Sequence, residues 1–214
     1  MRKVYSIFIL LIFSTTTILA QNSTSSIFRG GVRAGVTTSQ ISGDNLSGFH
    51  KLGGTAGLYA AVPLMQTSDN LHLQMELDFT MKGSHSHKVN KNNNAGKYAL
   101  NLGYIEVPVL LRWRFAHLTI NGNSGFELEV GPMFGVNLYA NERDVYGTIP
   151  GRPQFSRFEL SAVAGLNYKF NEHHGINLRF SNSILKVRTP NWAVNRPILK
   201  QYNTVLALCY FYEF

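Results

Sequence analysis

The chain has 214 residues, a single cysteine and only 15% charged residues, against roughly 25% in a typical soluble domain. One cysteine, Cys209, excludes an internal disulfide, and the length suits one domain of ordinary size. The formal charge of +8 could mark a nucleic-acid binder, but an export signal at the start of the chain makes anionic lipid headgroups or surface polysaccharide the expected counter-charges.

Residues 1–20 read as a secretion signal. Arg2 and Lys3 supply the positive start, residues 4–13 a short apolar stretch, and Ala20 precedes Gln21 at a plausible cut. The apolar stretch is too short to span a bilayer comfortably. Ile18 stands where a small residue is preferred, so the cleavage position is not defined. No cysteine lies near the cut, so no lipoprotein anchor is expected. The signal removes two basic residues and no acid, which leaves 18 basic against 12 acidic residues, a net of +6. Residues 21–28 form a short polar leader.

From residue 29 onward the apolar residues recur at every second position, and no apolar run approaches the roughly 18 residues of a membrane-spanning helix. A strand sends alternate side chains to opposite faces. The period predicts eight strands, over residues 29–40, 50–64, 71–82, 97–115, 126–138, 155–170, 175–185 and 201–214. The third is the clearest. Leu71, Leu73, Met75, Leu77, Phe79 and Met81 share one face, while His72, Gln74, Glu76, Asp78, Thr80 and Lys82 share the other. A Lys or Arg at mid-bilayer costs about 2–4 kcal/mol, so the charged face must line a polar interior. In the fourth, Leu100 and Leu102 suit one outward phase and Ile105, Val107, Val109, Leu111 and Trp113 the other. A β-bulge near Gly103 accounts for that slip. The eighth carries Tyr202, Leu206, Leu208, Tyr210, Tyr212 and Phe214 on one face, broken only by Thr204.

An even strand number is what single-chain bacterial outer-membrane barrels use. The connections alternate longer and shorter, which places the N-terminus and the shorter turns on the periplasmic side. The predicted fold is an all-β, eight-stranded, antiparallel up-and-down transmembrane barrel over residues 29–214.

The run Tyr104-Ile105-Glu106-Val107-Pro108-Val109-Leu110-Leu111 resembles the signature of PorT-type outer-membrane β-barrel proteins. The opening at residues 35–40, the Gly-rich stretch 53–57, Glu129-Val130-Gly131-Pro132 and Ala164-Gly165-Leu166 follow in the same order as in that family. The resemblance implies an eight-stranded barrel with a periplasmic N-terminus. The family's named member assists secretion to the cell surface, and no catalytic set comes with it. The closing strand resembles the recognition tag read by the barrel-assembly machinery, with Tyr210, Tyr212 and Phe214 as the signal.

The interior of an eight-stranded barrel is about wide enough for side chains to fill. The inward set mixes signs, and Glu76, Asp78, Arg112, Glu127, Glu129, Arg157, Glu159 and Arg179 are expected to pair into a structural charge network. Glu106, Arg33, Lys82 and Lys169 share that face. A salt-bridged plug is the favoured reading; a conducting lumen and a catalytic carboxylate pair are the alternatives. His85-Ser86-His87 offers two imidazoles and a hydroxyl, but zinc normally takes three or four protein ligands, and no third group orients a Ser–His pair, so a solvated loop is expected. His173-His174 reads as polar turn filling.

No catalytic residue, cofactor or metal site is therefore expected. The expected role is a non-enzymatic scaffold or accessory barrel aiding secretion or envelope integrity. A narrow pore and an outer-membrane enzyme acting on lipid or peptide are the competing classes. The expected partners are outer-membrane lipid and lipopolysaccharide, the assembly machinery, and an unidentified envelope protein; a monomer and no nucleic acid are expected. Lys88, Lys91, Arg143, Arg152, Arg188 and Arg196, in the longer connections, are the candidate contacts to lipopolysaccharide phosphates.

Overall fold

The alternation of apolar and polar residues becomes a closed sheet because no strand has to leave an edge unpaired. A computed structural model describes residues 28–43, 48–65, 68–86, 98–118, 124–144, 147–148, 155–188 and 200–214. The strands are β1 (Arg29–Ser42), β2 (Lys51–Met65), β3 (Ser68–His85), β4 (Tyr98–Leu118), β5 (Ser124–Asp144), β6 (Gly147–Thr148), β7 (Phe158–Lys169), β8 (His174–Ser183) and β9 (Tyr202–Glu213). Eight of them pair in the ring β1-β2-β3-β4-β5-β7-β8-β9, each with an antiparallel neighbour. The last strand returns to the first, with Gly31 opposite Glu213 and Ser42 opposite Tyr202. Closure satisfies the backbone donors and acceptors that an open edge would leave bare in hydrocarbon. The two-residue β6 only extends β5, pairing with Arg143 and Asp144. The expected signal at residues 1–20 and most of the leader lie outside the described residues.

Parity sorts the side chains as the period demands. On β3, His72, Gln74, Glu76, Asp78, Thr80, Lys82 and Ser84 are buried, while Leu73, Met75, Leu77, Phe79 and Met81 face outward. The outer wall is apolar on every long strand, from Val32 and Val36 on β1 to Leu206, Leu208 and Tyr210 on β9.

One parity expectation needs correction. Leu100 and Leu102 do not face outward; both are fully buried and continue the inward row of Tyr104, Glu106, Leu110 and Arg112 without a slip on β4. The irregularity does lie beside Gly103, but on the partner. Gly103 opposes Tyr139 and Tyr104 opposes Asn137, so the extra residue is Leu138 of β5. A bulge shifts the phase of the strand that carries it, which leaves β4 regular. A second shift, between Arg114 and Ala116, inserts Phe115 on β4.

The connections split by end. At one end the intervening residues are 66–67, 119–123 and 170–173; at the other they are 43–50, 86–97, 145–157 and 184–201. We call these the turn end and the loop end. The wall is uneven: β4 and β5 each run 21 residues, β8 only 10. Beyond the pair Phe158–Val136, β5 continues toward the loop end against β4 without β7 beside it.

Candidate functional site

The inward rows bring charged groups from seven of the eight barrel strands, and Tyr59 from β2, into one column, which falls into three tiers. In the middle tier Arg179 of β8 holds Glu76 of β3 through both terminal nitrogens, Nη1 to Oε2 at 2.7 Å and Nη2 to Oε1 at 2.8 Å. Its Nε donates to Glu129 Oε1 at 2.6 Å. Arg33 of β1 donates to Glu76 Oε2 at 2.6 Å and lies 3.4 Å from Asp78 Oδ2. Its other nitrogen donates to Asn177 Oδ1 and to Cys209 Sγ, each at 3.1 Å. Asn167 and Asn177 donate to the two Glu129 oxygens at 3.1 and 2.9 Å. Glycine makes room for this tier: a Cβ on Gly57 would strike Asp78, and one on Gly165 would strike Glu129.

The lower tier, toward the turn end, centres on Glu213. It accepts from Lys169 at 2.7 Å and Arg112 Nη2 at 3.1 Å, lies 3.5 Å from Arg29, and takes the Tyr59 hydroxyl at 3.4 Å. Arg112 also donates to Gln74 at 2.7 Å and sits 3.1 Å from Glu127, as an ion pair rather than an aligned hydrogen bond. Arg114 donates to the same Glu127 at 2.7 Å. In the upper tier Lys82 stands between Glu106 at 2.5 Å and Glu159 at 2.9 Å, with its ammonium 4.7 Å from the Tyr104 ring centre. Ser161 and Asn203 donate to Glu159 at 2.7 and 2.6 Å.

Apolar residues separate and cap the tiers. Leu110, Met133 and Val163 cluster inside the wall, and Ile41, Leu100, Leu102 and Tyr104 pack with Tyr98 and Phe155 toward the loop end. Around Arg33, Glu76, Arg112, Glu129 and Arg179 the remaining void is about 10 Å³, the room of about one water-sized sphere. Such an arrangement pairs opposite charges and leaves little free space at the middle tier. Each middle-tier carboxylate lies within ion-pair distance of at least one guanidinium group.

Seven of the eight expected network residues come together: Glu76, Asp78, Arg112, Glu127, Glu129, Glu159 and Arg179 are all buried and ion-paired. Arg157 does not join them. It precedes β7, where the chain bends, and is exposed at the loop end. Its strand parity is not defined there, so alternation could not place it. Glu213 was missed although its parity, opposite to Tyr210 and Tyr212, already marks it as inward. Tyr59, Gln74 and Asn203 were likewise unread as partners.

Among the candidate lipid contacts, Lys88, Lys91, Arg152 and Arg196 lie outside the described residues. Arg143 is exposed near the end of β5. Arg188 is corrected: it is buried, donates to Glu142 at 2.9 and 3.2 Å, and covers the Phe155 ring at 4.5 Å. A bridge to Gln201 draws it inward, so it is a structural cation. Ser86 is buried, and its hydroxyl accepts from the Tyr98 amide at 2.9 Å; His87 lies outside the described residues. Among the described residues no group of three or more His, Cys, Asp or Glu could hold a metal ion.

On the outer wall at the turn end, Trp113, Phe115, Phe126, Tyr168 and Phe170 touch in sequence. His173 stacks on Tyr212, and His174 bonds to the Tyr210 hydroxyl. Tyr212 meets Phe214 edge to face. The expected assembly residues and the His pair thus form one aromatic surface, which suits a membrane interface.

Comparison with known proteins adds the following. A family model described as "Outer membrane protein beta-barrel domain" matches residues 19–187. No curated protein matches the sequence. Among solved structures, neisserial surface protein A is 15% identical with a TM-score of 0.49, over 88% of this chain and 98% of that one. The attachment invasion locus protein of Yersinia pestis is 14% identical with a TM-score of 0.48, over 87% and 99%. The outer membrane protein AlkL is 12% identical with a TM-score of 0.43, over 90% and 93%.

Proposed function

This chain belongs to the outer membrane protein β-barrel domain family and is an integral outer-membrane protein, and from that premise we propose that it is a non-enzymatic, non-conducting barrel acting as a scaffold or accessory in the envelope. The observation that carries the reading is the filled lumen, in which three tiers of paired charge leave about 10 Å³ of void in the middle. An ion path needs continuous space with exchangeable sites, which so small a void among carboxylates bonded to Arg33 and Arg179 does not offer.

Within the family we place the chain with the PorT-type barrels. The run from Tyr104 to Leu111 supports this, since its alternate residues Tyr104, Glu106 and Leu110 all face the lumen. The N-terminus is assigned to the periplasm because the short connections share its end of the barrel. The protein acts as a monomer, contacting lipopolysaccharide at the loop end through residues such as Lys88, Lys91, Arg143, Arg152 and Arg196, together with an envelope protein partner. Reconstitution into planar bilayers tests the reading: silence is expected, and steady single-channel current would overturn it.

A further inference from the structure

The buried network is neutral. Inside the wall and at its mouth, Arg29, Arg33, Lys82, Arg112, Arg114, Lys169 and Arg179 meet Glu76, Asp78, Glu106, Glu127, Glu129, Glu159 and Glu213. Arg188 meets Glu142. The net positive charge of the chain must therefore sit elsewhere, and the described cations outside the network, Lys51, Arg143, Arg157, Lys186 and Lys200, all lie at the loop end.

Three of them share one side of the rim. The Ser156 amide donates to Val187 O at 2.7 Å and the Val187 amide to Gln201 O at 2.8 Å. The segments carrying Arg157, Lys186 and Lys200 thus run side by side above β7, β8 and β9. Adjacent strands stand about 4.8 Å apart, so three abreast cover roughly 10 Å. Val187 and Gln201 are buried, whereas Arg157, Lys186 and Lys200 are exposed. The wall next to them on the turn-end side is apolar and outward: Phe158 is 69% exposed, Ile184 58% and Leu185 53%. An apolar, outward wall directly below three exposed cations is the arrangement expected where acyl chains give way to lipid headgroups.

We propose that Arg157, Lys186 and Lys200 form a binding site for the phosphate groups of a phosphorylated outer-leaflet glycolipid. Charge-assisted bonds from guanidinium and ammonium to phosphate supply the attraction, and the exposed Phe158, Ile184 and Leu185 meet the acyl chains. The site rests on the proposed orientation, which places the loop end outside.

The test uses the full chain folded in detergent, with diphosphorylated lipid A and its dephosphorylated form as probes and native mass spectrometry as readout. Wild type is expected to prefer the phosphorylated lipid. The Arg157→Gln/Lys186→Gln/Lys200→Gln variant is expected to lose about tenfold or more in affinity along with that preference, while the control variant Lys51→Gln retains both. Equal binding by the triple variant, an equal loss in the control variant, or full competition by millimolar inorganic phosphate would overturn the site. Heat-modifiable gel migration checks folding; should the triple variant not fold, each single variant is expected to show a smaller loss in the same direction, and no loss in any overturns the site. Orientation is read separately. Lys200→Cys in intact cells is expected to react with an impermeant maleimide; failure to react refutes the orientation, whereas the detergent measurement judges the triad.

Discussion

Arg179 and Glu76 face each other across the barrel interior, from β8 to β3, and meet through two parallel hydrogen bonds of 2.7 and 2.8 Å. They are 103 residues apart in sequence, so only closure of the sheet brings them together. Removing one partner of a buried pair leaves an uncompensated charge, at a cost of about 3–5 kcal/mol. Arg179→Met is therefore expected to destabilise the barrel by about that amount, since Glu76 and Glu129 both lose a partner. Urea unfolding in lipid vesicles measures it. A loss below about 1 kcal/mol, the worth of an exposed pair, would show that the tier is hydrated rather than buried.

Two glycines on β2 separate the interior from the wall. A Cβ at Gly57 would strike Asp78 and its backbone, whereas one at Gly54 meets its nearest neighbour, Gly35 O, at 3.6 Å. Gly57→Ala should cost about 1–3 kcal/mol through overpacking, and Gly54→Ala should stay within about 0.5 kcal/mol. The same unfolding assay compares them; equal costs would contradict the inward placement of Gly57.

Phe214 is 73% exposed, although its amide donates to Gly30 O at 2.8 Å. An aromatic ring that packs so little adds little to the stability of the finished barrel. If the closing strand is the assembly tag that its sequence resembles, Phe214→Ala is expected to lower the folded fraction in cells. Its urea midpoint after refolding in detergent should match wild type. A matching fall in both measurements would assign Phe214 a structural role instead.

Cys209 is 1% exposed and its sulfur accepts from Arg33 at 3.1 Å. Thiol reagents act on an accessible thiolate. The folded barrel should resist maleimide for hours and label fully in denaturant. Rapid labelling of the folded form would mean that the lumen admits small solutes, against the closed interior proposed above.

The period of two carried most of the architecture, because the direction of each side chain along a strand follows from covalent geometry alone. That is why Glu76, Asp78, Glu129 and Arg179 could be assigned to the interior, and Leu73, Met75 and Leu77 to the wall, before any contact was known. The same rule marks Glu213, at the parity opposite to Tyr210 and Tyr212, as inward.

What residue order could not decide was pairing. Which guanidinium meets which carboxylate depends on the register of strands distant in sequence and on the closure of β1 against β9. Which strand carries the irregularity was likewise a matter of pairing: the extra residue is Leu138 of β5, so β4 keeps its alternation and Leu100 and Leu102 stay inward. Arg157 and Arg188 exchanged their expected places because both lie beyond the regular strands, where alternation ends and tertiary contacts set direction. The sequence by itself determined a closed apolar wall around a charged interior, since burying these charges in lipid is too costly. Only the tertiary structure decided that the charges neutralise one another and that the remaining described cations gather at one rim, since both facts depend on strand register and on which ends of the strands meet.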